Sequence, residues 1–292
     1  MKTSNSAIQT FKSCRRLYEL KYIHNLEPVE TADALKTGIS YHEGVEWLLK
    51  EWLDYHVGTP SIQIEDPKVK AMVMAFNFYI IPKLTAMGVK PVDTEEWFSY
   101  ETESGHVIVG RVDGKMTGNI VIEHKTTSSP VDGAYFQKLE FDEQIPTYML
   151  AFNADTILYT VCQKPTIRQK KNESDEDFFK RCCDWYDEDT ESKINVIELK
   201  KSWDELETFK VEQDAIVTEM ENCKLFYRNP SNCSKWGRMC EYASVCMNYD
   251  PEKEYIQFKR RENHYEEAGK AEVREIGCEQ TDAPSVPDEA HH

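Results

Sequence analysis

Apolar residues recur every three to four positions through the first third of the chain. This spacing predicts helices over about residues 4–21, 35–56 and 67–87. Serines near the start of the first segment can cap that helix, while Pro67 and Gly88 suit the beginning and the end of the third. The amino-terminal region is therefore predicted to be helical.

Short runs of β-branched and aromatic residues replace this pattern after residue 92. Glycines separate three such runs, which predicts an antiparallel meander. The runs are residues 94–103, 106–112 and 119–125, and the glycines are Gly105, Gly114 and Gly118.

Helices and strands alternate in the rest of the body. The patterns predict a helix over about 132–152, a strand over 155–162, a short helix around Phe178, a strand over 194–199 and a helix over about 202–226. This order is typical of an α/β (α+β) protein in which helices flank a mixed sheet. Few apolar residues follow position 263, so we expect a mobile tail.

The composition is that of a globular protein with a sizeable core. The chain has 292 residues, 40% of them hydrophobic, which suits one large domain or one domain with appendages. No apolar run reaches the roughly 18 residues that cross a membrane, and residues 1–6 lack the apolar core of a signal peptide. We therefore expect a cytoplasmic protein without membrane contact, whose nine cysteines are thiols or metal ligands.

The net charge of −17 argues at first against a nucleic-acid partner, because phosphate contacts need lysine and arginine. Much of this charge lies in two segments. Residues 172–192 hold nine acids against two bases, and residues 251–292 hold eleven acids against six bases. Local fields decide binding, so the overall charge does not exclude DNA.

Charged residues stand at the ends of two neighbouring predicted strands. Asp113 ends one strand, and Glu123, His124 and Lys125 end the next. Strand alternation places Glu123 and Lys125 on one face and His124 on the other, and a hairpin would set Asp113 across from Glu123. An exposed salt-bridge cluster is the alternative, but apolar neighbours indicate inner strands, where unpaired charge is costly.

The chemistry of this set suits phosphate hydrolysis. Two converging carboxylates form a hard-oxygen site for Mg²⁺ or Mn²⁺, to which the backbone carbonyl of His124 can add a ligand. The ammonium group of Lys125 can orient a nucleophilic water and offset charge that develops on a phosphate.

Asp113 followed by Glu123-His124-Lys125 resembles the signature of the PD-(D/E)XK nuclease superfamily, although Val112 replaces the usual proline. Three further segments are similar to motifs of its RecB-like branch. They are residues 144–148 (QIPTY, for Q-x-x-x-Y), residues 38–43 (GISYHE, for G-x-x-x-H-E) and residues 4–18 for its amino-terminal segment. The resemblance covers roughly residues 4–247 and implies a restriction-endonuclease-like core.

The resemblance implies a role for each matched residue. His42 would be a metal ligand beside Asp113 and Glu123, whereas an isolated histidine is more often a surface or core residue. Gln144 would hydrogen-bond the lysine, the water or a phosphate. Tyr148 would contact DNA from the same helix face, unless it serves only in packing.

Cys14 and a carboxy-terminal group of Cys233, Cys240 and Cys246 carry a second signal. RecB-like nucleases with an iron-sulfur cluster join one amino-terminal cysteine to three carboxy-terminal ones, so the resemblance implies a [4Fe-4S] cluster that staples the two ends together. The first carboxy-terminal gap, of six residues, is longer than usual for that pattern. A four-cysteine zinc site and buried thiols without metal are the alternatives.

Basic residues in two places are candidates for the DNA backbone. Arg15 and Arg16 lie in the first helix, and Lys164 and Arg168 lie in a loop; a solvated surface is the alternative for each.

We divide the chain into four regions: 1–92, helical with the histidine motif; 93–226, the nuclease core; 227–250, the cysteine region packing with Cys14; and 251–292, an acidic helical or mobile tail.

The resemblance implies a metal-dependent DNA exonuclease of the stand-alone phage or CRISPR-associated type. A protein partner in recombination, repair or CRISPR adaptation fits that type. A catalytically silent module that binds DNA ends or a protein is the alternative function.

Overall fold

A computed structural model describes residues 1–30, 33–54, 64–235, 238–247, 257–261 and 273–274. The strands in these ranges are β1 (Lys2–Ser4), β2 (Leu26–Pro28), β3 (Pro91–Glu101), β4 (Val107–Met116), β5 (Ile120–Thr127), β6 (Thr156–Gln163), β7 (Ile194–Leu199), β8 (Ser234–Lys235), β9 (Arg238–Met239), β10 (Phe258–Arg260) and β11 (Val273–Arg274).

The helices are α1 (Asn5–Ser13), α2 (Arg15–Tyr18), α3 (Asp33–Leu53), α4 (Pro67–Ala75), α5 (Ile81–Ala86), α6 (Gly133–Leu139), α7 (Gln144–Phe152), α8 (Asp175–Glu188), α9 (Thr190–Lys193), α10 (Trp203–Asn222) and α11 (Ala243–Met247). Single π-helical turns follow α2 and α4, at Glu19–Ile23 and Phe76–Ile80.

A mixed sheet forms the centre of the molecule, with the strand order β11-β3-β4-β5-β6-β7 and with β1 beside β4. The pairs β5–β6, β1–β4 and β3–β11 are parallel, and the other pairs of this sheet are antiparallel. The predicted meander is therefore β3-β4-β5, and the predicted mixed sheet with flanking helices is confirmed.

Each face of the sheet is covered by its own helices. Buried side chains of α1, α7 and α10 pack on one face with Val121, while those of α3, α4 and α8 pack on the other with Ile122. Successive residues of β5 therefore enter opposite cores, as strand alternation requires. Both faces of the central strands are dry, which explains their continuous apolar runs.

Several predicted elements differ from the observed ones. The first helix is interrupted at Cys14, which has an extended backbone with φ −161°. The helix predicted over 132–152 is two helices, α6 and α7, and the short helix predicted around Phe178 has 14 residues. Gly105 and Gly118 have positive φ in turns, as expected, but Gly114 lies within β4.

Two short strands from the carboxy-terminal region pair with the body. β10 pairs with β2, and β11 pairs with β3. The rest of the predicted mobile tail lies outside the described residues, as does Cys278. Within the described parts of the chain, no helix combines the length and apolar character needed to span a bilayer.

Candidate active site

Asp113 and Glu123 meet where β4 and β5 separate. The last paired residues of the two strands are Gly114 and Ile122, and the two carboxylates are the next residue outward on each strand. Beyond this point β4 continues beside β1 instead. The backbone N–H of His124 donates a 2.7 Å hydrogen bond to Oδ2 of Asp113, so the carboxylate bridges the fork.

Glu123 is almost fully buried, with 3% of its surface exposed. Its Oε1 accepts a hydrogen bond from Nζ of Lys125, while its Oε2 is buried without a hydrogen-bond partner. Burial raises the pKa of Glu123 to about 7, against the lowering effect of Lys125. Burial would lower the pKa of Lys125, but Glu123 outweighs it and raises that pKa. The two shifts act in opposite senses: burial disfavours the charge of Glu123, while Glu123 favours the charge of Lys125, and one carboxylate oxygen lacks a partner.

Helix α3 brings His42 to the same place. Nδ1 of His42 lies 3.2 Å from Oδ1 of Asp113. Burial opposes charge on both groups, but their hydrogen bond prevails and raises the pKa of His42 while it lowers that of Asp113. Both oxygens of Asp113 are thus oriented by donors from separate elements.

Gln144 and Tyr148 lie one turn apart on α7 and face the same carboxylates. Nε2 of Gln144 is 3.5 Å from Oε1 of Glu123 and donates a 2.9 Å hydrogen bond to the hydroxyl of Tyr148. That hydroxyl lies 3.4 Å from the carbonyl oxygen of Arg111. The two residues therefore link α7 to both strands of the fork.

The side chain of His124 enters the core on the opposite face, as strand alternation predicts. Its Nδ1 lies 2.6 Å from Oγ1 of Thr160, and its ring centroid lies 5.2 Å from that of Phe76. Burial lowers the pKa of His124 to about 4, so the imidazole is neutral. Only its backbone is placed to serve the site.

A groove of about 560 Å³ opens over Asp113 and Lys125. Its walls include three residues that the sequence patterns did not single out: Glu46, Glu95 and Arg111. Glu43, the residue after His42 on α3, also lines the groove. Strand alternation could have found Arg111, because it lies two residues before Asp113 on β4.

The four cysteines of the predicted cluster line one cavity of about 240 Å³. Two side-chain amides join the segment before Cys233 to the segment before Cys14. Nδ2 of Asn229 donates a 2.9 Å hydrogen bond to the carbonyl of Ser13, and Asn232 also donates to this carbonyl. Burial raises the pKa of Cys240, and the other three thiols, Cys14, Cys233 and Cys246, raise it further. The cavity therefore brings together residues from both ends of the chain.

The four candidate DNA-binding residues have other partners or positions. Arg15 pairs with Glu219, and Arg16 pairs with Glu19. Lys164 is half-buried directly after β6, and Arg168 is exposed in the following loop. The loop that carries both residues begins at the same end of the sheet as Lys125, because the backbone N–H of Lys164 donates a hydrogen bond to the carbonyl of Thr127 at the end of β5.

Across the described ranges, no group of three or more His, Cys, Asp or Glu side chains is close enough together to hold a metal ion without rearrangement. At the fork, His42 and Lys125 occupy the carboxylate oxygens instead. The donor set still fits a hard divalent cation, because it offers oxygens of Asp113 and Glu123 and an imidazole nitrogen. The unpartnered Oε2 of Glu123 is the atom that most needs such a ligand.

Three solved structures are distantly similar to this chain. A phage-related exonuclease from Haemophilus somnus 129PT is 16% identical, with 75% of this chain and 96% of that chain covered and a TM-score of 0.36. An alkaline exonuclease from Laribacter hongkongensis is 10% identical over 76% and 88% of the two chains, with a TM-score of 0.34. A provisionally named exonuclease from Eubacterium rectale is 10% identical over 84% and 86%, with a TM-score of 0.49.

These structures are too distant to bear on activity, and no curated protein matches the chain. The sequence model of one family matches residues 2–247, which is most of the chain and includes every residue of the fork. The protein therefore belongs to the PD-(D/E)XK nuclease superfamily.

Proposed function

We propose that this protein is a Mg²⁺- or Mn²⁺-dependent deoxyribonuclease that acts as an exonuclease on DNA ends or single strands. The observation that carries the proposal is the meeting of Asp113, Glu123 and Lys125 at the fork of β4 and β5, beneath an open groove. A buried carboxylate oxygen without a partner is costly in a merely structural cluster, and it is expected of a metal ligand.

His42, Asp113, Glu123 and the backbone carbonyl of His124 would hold the metal. A bound divalent ion supplies Lewis-acid polarisation of the scissile phosphate and lowers the pKa of water. The backbone N–H of His124 holds one oxygen of Asp113 in place, while the contact between His42 and the other oxygen would give way to the ion.

Lys125 and Gln144 would act on the attacking water and the phosphate. Ammonium and amide donors fixed beside the reacting phosphate favour the charge that develops on its oxygens. Tyr148 would hold Gln144 in place through their 2.9 Å hydrogen bond, which makes it a positioning residue.

The groove also supports a preference for unpaired strands. Two apolar side chains of α3 lie in its wall and remain exposed: Leu35 at 58% and Ile39 at 48%. Exposed apolar side chains beside a phosphodiester site suit contact with unstacked bases, which a paired duplex does not present. The backbone would then extend toward Lys164 and Arg168, with Arg15 and Arg16 as more distant candidates.

We further propose that Cys14, Cys233, Cys240 and Cys246 hold a [4Fe-4S] cluster. Their shared cavity supports this, since a cluster is wider than a single ion and its thiolates stand further apart. Anaerobically prepared protein is then expected to be brown. Stoichiometric zinc in a colourless preparation, or a folded and active protein without metal, would support one of the two alternatives.

The test of the main proposal is DNA digestion with and without Mn²⁺. Wild-type protein is expected to degrade a labelled oligonucleotide only with the metal, and Glu123→Ala or Lys125→Ala should reduce the rate by orders of magnitude. Glu198→Ala is a matched control, because Glu198 also pairs with a lysine, Lys200, but on the peripheral strand β7.

Undiminished cleavage by both fork variants would place the active site elsewhere. Tight DNA binding by the wild-type protein without any cleavage would favour the catalytically silent binding module. We place the protein in the cytoplasm of a bacterium or phage-infected host, with a partner in recombination, repair or CRISPR adaptation. Co-purification from such cells tests for the partner.

A further inference from the structure

We propose that Arg111 binds a phosphate of the substrate strand and that Glu95 positions the arginine for this contact. The inference rests on the proposed function, because it names how the groove beside Asp113 would hold a nucleic acid.

The charge of the groove makes Arg111 necessary for an anionic ligand. Among the described residues of its lining, the basic ones are Lys125, Arg111 and His42, which is bound to Asp113, while Glu43, Glu46, Glu95 and Asp113 are acidic. Lys125 is already bound to Glu123, and its side chain is 28% exposed. The side chain of Arg111 is 48% exposed. A phosphodiester that enters this acidic groove therefore meets Arg111 as its most accessible cation.

The contacts of Arg111 leave it suited to bind phosphate. Arg111 lies two residues before Asp113 on β4, so both side chains emerge on the same face. Its Nε lies 2.6 Å from Oε2 of Glu95, and its guanidinium lies 5.5 Å from the ring centroid of Trp97, its cross-strand neighbour. Nε is the guanidinium atom of this ion pair, whose geometry leaves Oε2 of Glu95 without a hydrogen bond, and the planar guanidinium can bind phosphate oxygens in a bidentate manner.

The backbone of Glu95 is held in an unusual conformation. Its φ is 57°, in the left-handed region, although it lies within β3. The other non-glycine residues with positive φ in the described ranges are all asparagines, which tolerate this region better than glutamate does. The pairing of β3 with β4 places Glu95 level with Asp113. Strain of this kind, beside a candidate catalytic carboxylate, is typical of a functional position.

The first test measures binding without cleavage. A fluorescent single-stranded oligonucleotide is titrated in EDTA at several salt concentrations against wild-type, Arg111→Gln and Lys115→Gln proteins. Lys115 is the matched control, because it is a second cation of β4 that pairs with a glutamate of β3, Glu96 at 3.3 Å, but outside the groove lining. Arg111→Gln should reduce the slope of log K against log salt by about 0.7 for one lost phosphate contact, and Lys115→Gln should leave it unchanged.

The second test measures KM and kcat for DNA hydrolysis with Mn²⁺. Arg111→Gln should raise KM about tenfold or more, with a smaller effect on kcat, because the phosphate contact also exists in the ground state. Arg111→Lys should keep the salt slope but raise KM, since an ammonium group lacks the planar fork. Glu95→Gln should raise KM less than Arg111→Gln does, and it should have no further effect in an Arg111→Gln background.

Each outcome decides one part of the proposal. A wild-type salt slope and KM in Arg111→Gln, or no oligonucleotide binding by the wild-type protein, overturns the phosphate contact. If Arg111→Gln does not fold in thermal melts, an unchanged KM in Arg111→Lys overturns it equally. An independent effect of Glu95→Gln in the Arg111→Gln background overturns the positioning role. Salt-dependent binding without Mn²⁺-dependent cleavage contradicts the proposed function alone.

Discussion

Gly110 is a position at which one added methyl group should disturb the catalytic strand. A Cβ there would lie 2.5 Å from Cζ and 2.7 Å from Cε1 of Phe98. Phe98 has little room to move, because it is 1% exposed and its ring packs edge-on against Tyr148 and Phe152, at centroid distances of 5.8 and 5.7 Å. Gly110→Ala should therefore lower the free energy of unfolding by about 1–3 kcal/mol. This overpacking exceeds the roughly 0.5–1 kcal/mol that alanine gains over glycine in a strand.

Thermal melts can measure this loss. A chain of this size loses roughly 2–4 °C in Tm per kcal/mol, so a loss of about 2 kcal/mol corresponds to roughly 4–8 °C. Gly133→Ala is the matched control, because no atom lies within 4 Å of its added Cβ, and its Tm should not fall. Phe98→Leu shortens the obstructing ring, so the double variant should be more stable than the two single effects predict, by about 1 kcal/mol.

The functional consequence follows from what β4 carries. A shift of Gly110 moves the next residue, Arg111, and the strand that ends in Asp113, so cleavage by Gly110→Ala should fall even where the protein is fully folded. A Gly110→Ala protein that melts and cleaves like wild type would refute this reasoning. Strict additivity with Phe98→Leu would show that the loss arises elsewhere.

Three further predictions concern the ends of the chain and the two faces of the fork. Cys14→Ala should lower Tm and DNA cleavage together, because a cross-link between Cys14 and Cys233 would stabilise the fold by about 4–5 kcal/mol on a disulfide-based model. Wild-type values for both in one preparation would show that the cysteines do not act as a unit. Tyr148→Phe should cost about 1–3 kcal/mol in urea unfolding and reduce kcat, because it removes the 2.9 Å hydrogen-bond partner of the half-buried Gln144 amide. Unchanged kcat would exclude the positioning role. Burial lowers the pKa of His124 to about 4, so below the ordinary pKa of 6.5 the unfolded chain takes up a proton that the folded protein does not. The free energy of unfolding should therefore fall by up to roughly 3 kcal/mol as the pH falls from 6.5 toward 4. Urea unfolding of metal-free His124→Asn should show a smaller loss in this window, and an equal loss would contradict the assignment.

The central fork could be predicted because its determinants are local. Alternation in β5 sets Glu123 and Lys125 on one face, and one tight turn at Gly118 fixes the register that brings Asp113 across. The order of strands and helices then predicts a mixed sheet, which is the observed fold. The roles of these side chains, and the division into four regions, are still predictions that mutagenesis must test.

The features that could not be predicted depend on contacts between distant segments. β1 and β11 are three and two residues long, too short to show a sequence pattern. They form because the backbone groups of β4 and β3 pair with them. The left-handed backbone of Glu95 contradicts its local preference and is set by its neighbours in the sheet. The break at Cys14 interrupts a helical pattern, while neighbouring Ser13 accepts hydrogen bonds from Asn229 and Asn232. Such overrides of local preference are expected most often at functional sites.

The short strand β1 explains how an acidic pair can sit inside an otherwise apolar sheet. Where β5 leaves β4, the backbone groups of β4 would lose their partners, and β1 replaces them by pairing with Val107–Val109. On the other side of the fork, the N–H of His124 bonds the carboxylate of Asp113 instead of a strand. Ser4, the last residue of β1, also caps α1 through a 3.3 Å hydrogen bond from Ala7. The helix that leads to Cys14 is thus anchored at the strand that carries Asp113, so the cysteine cavity and the fork share one structural support.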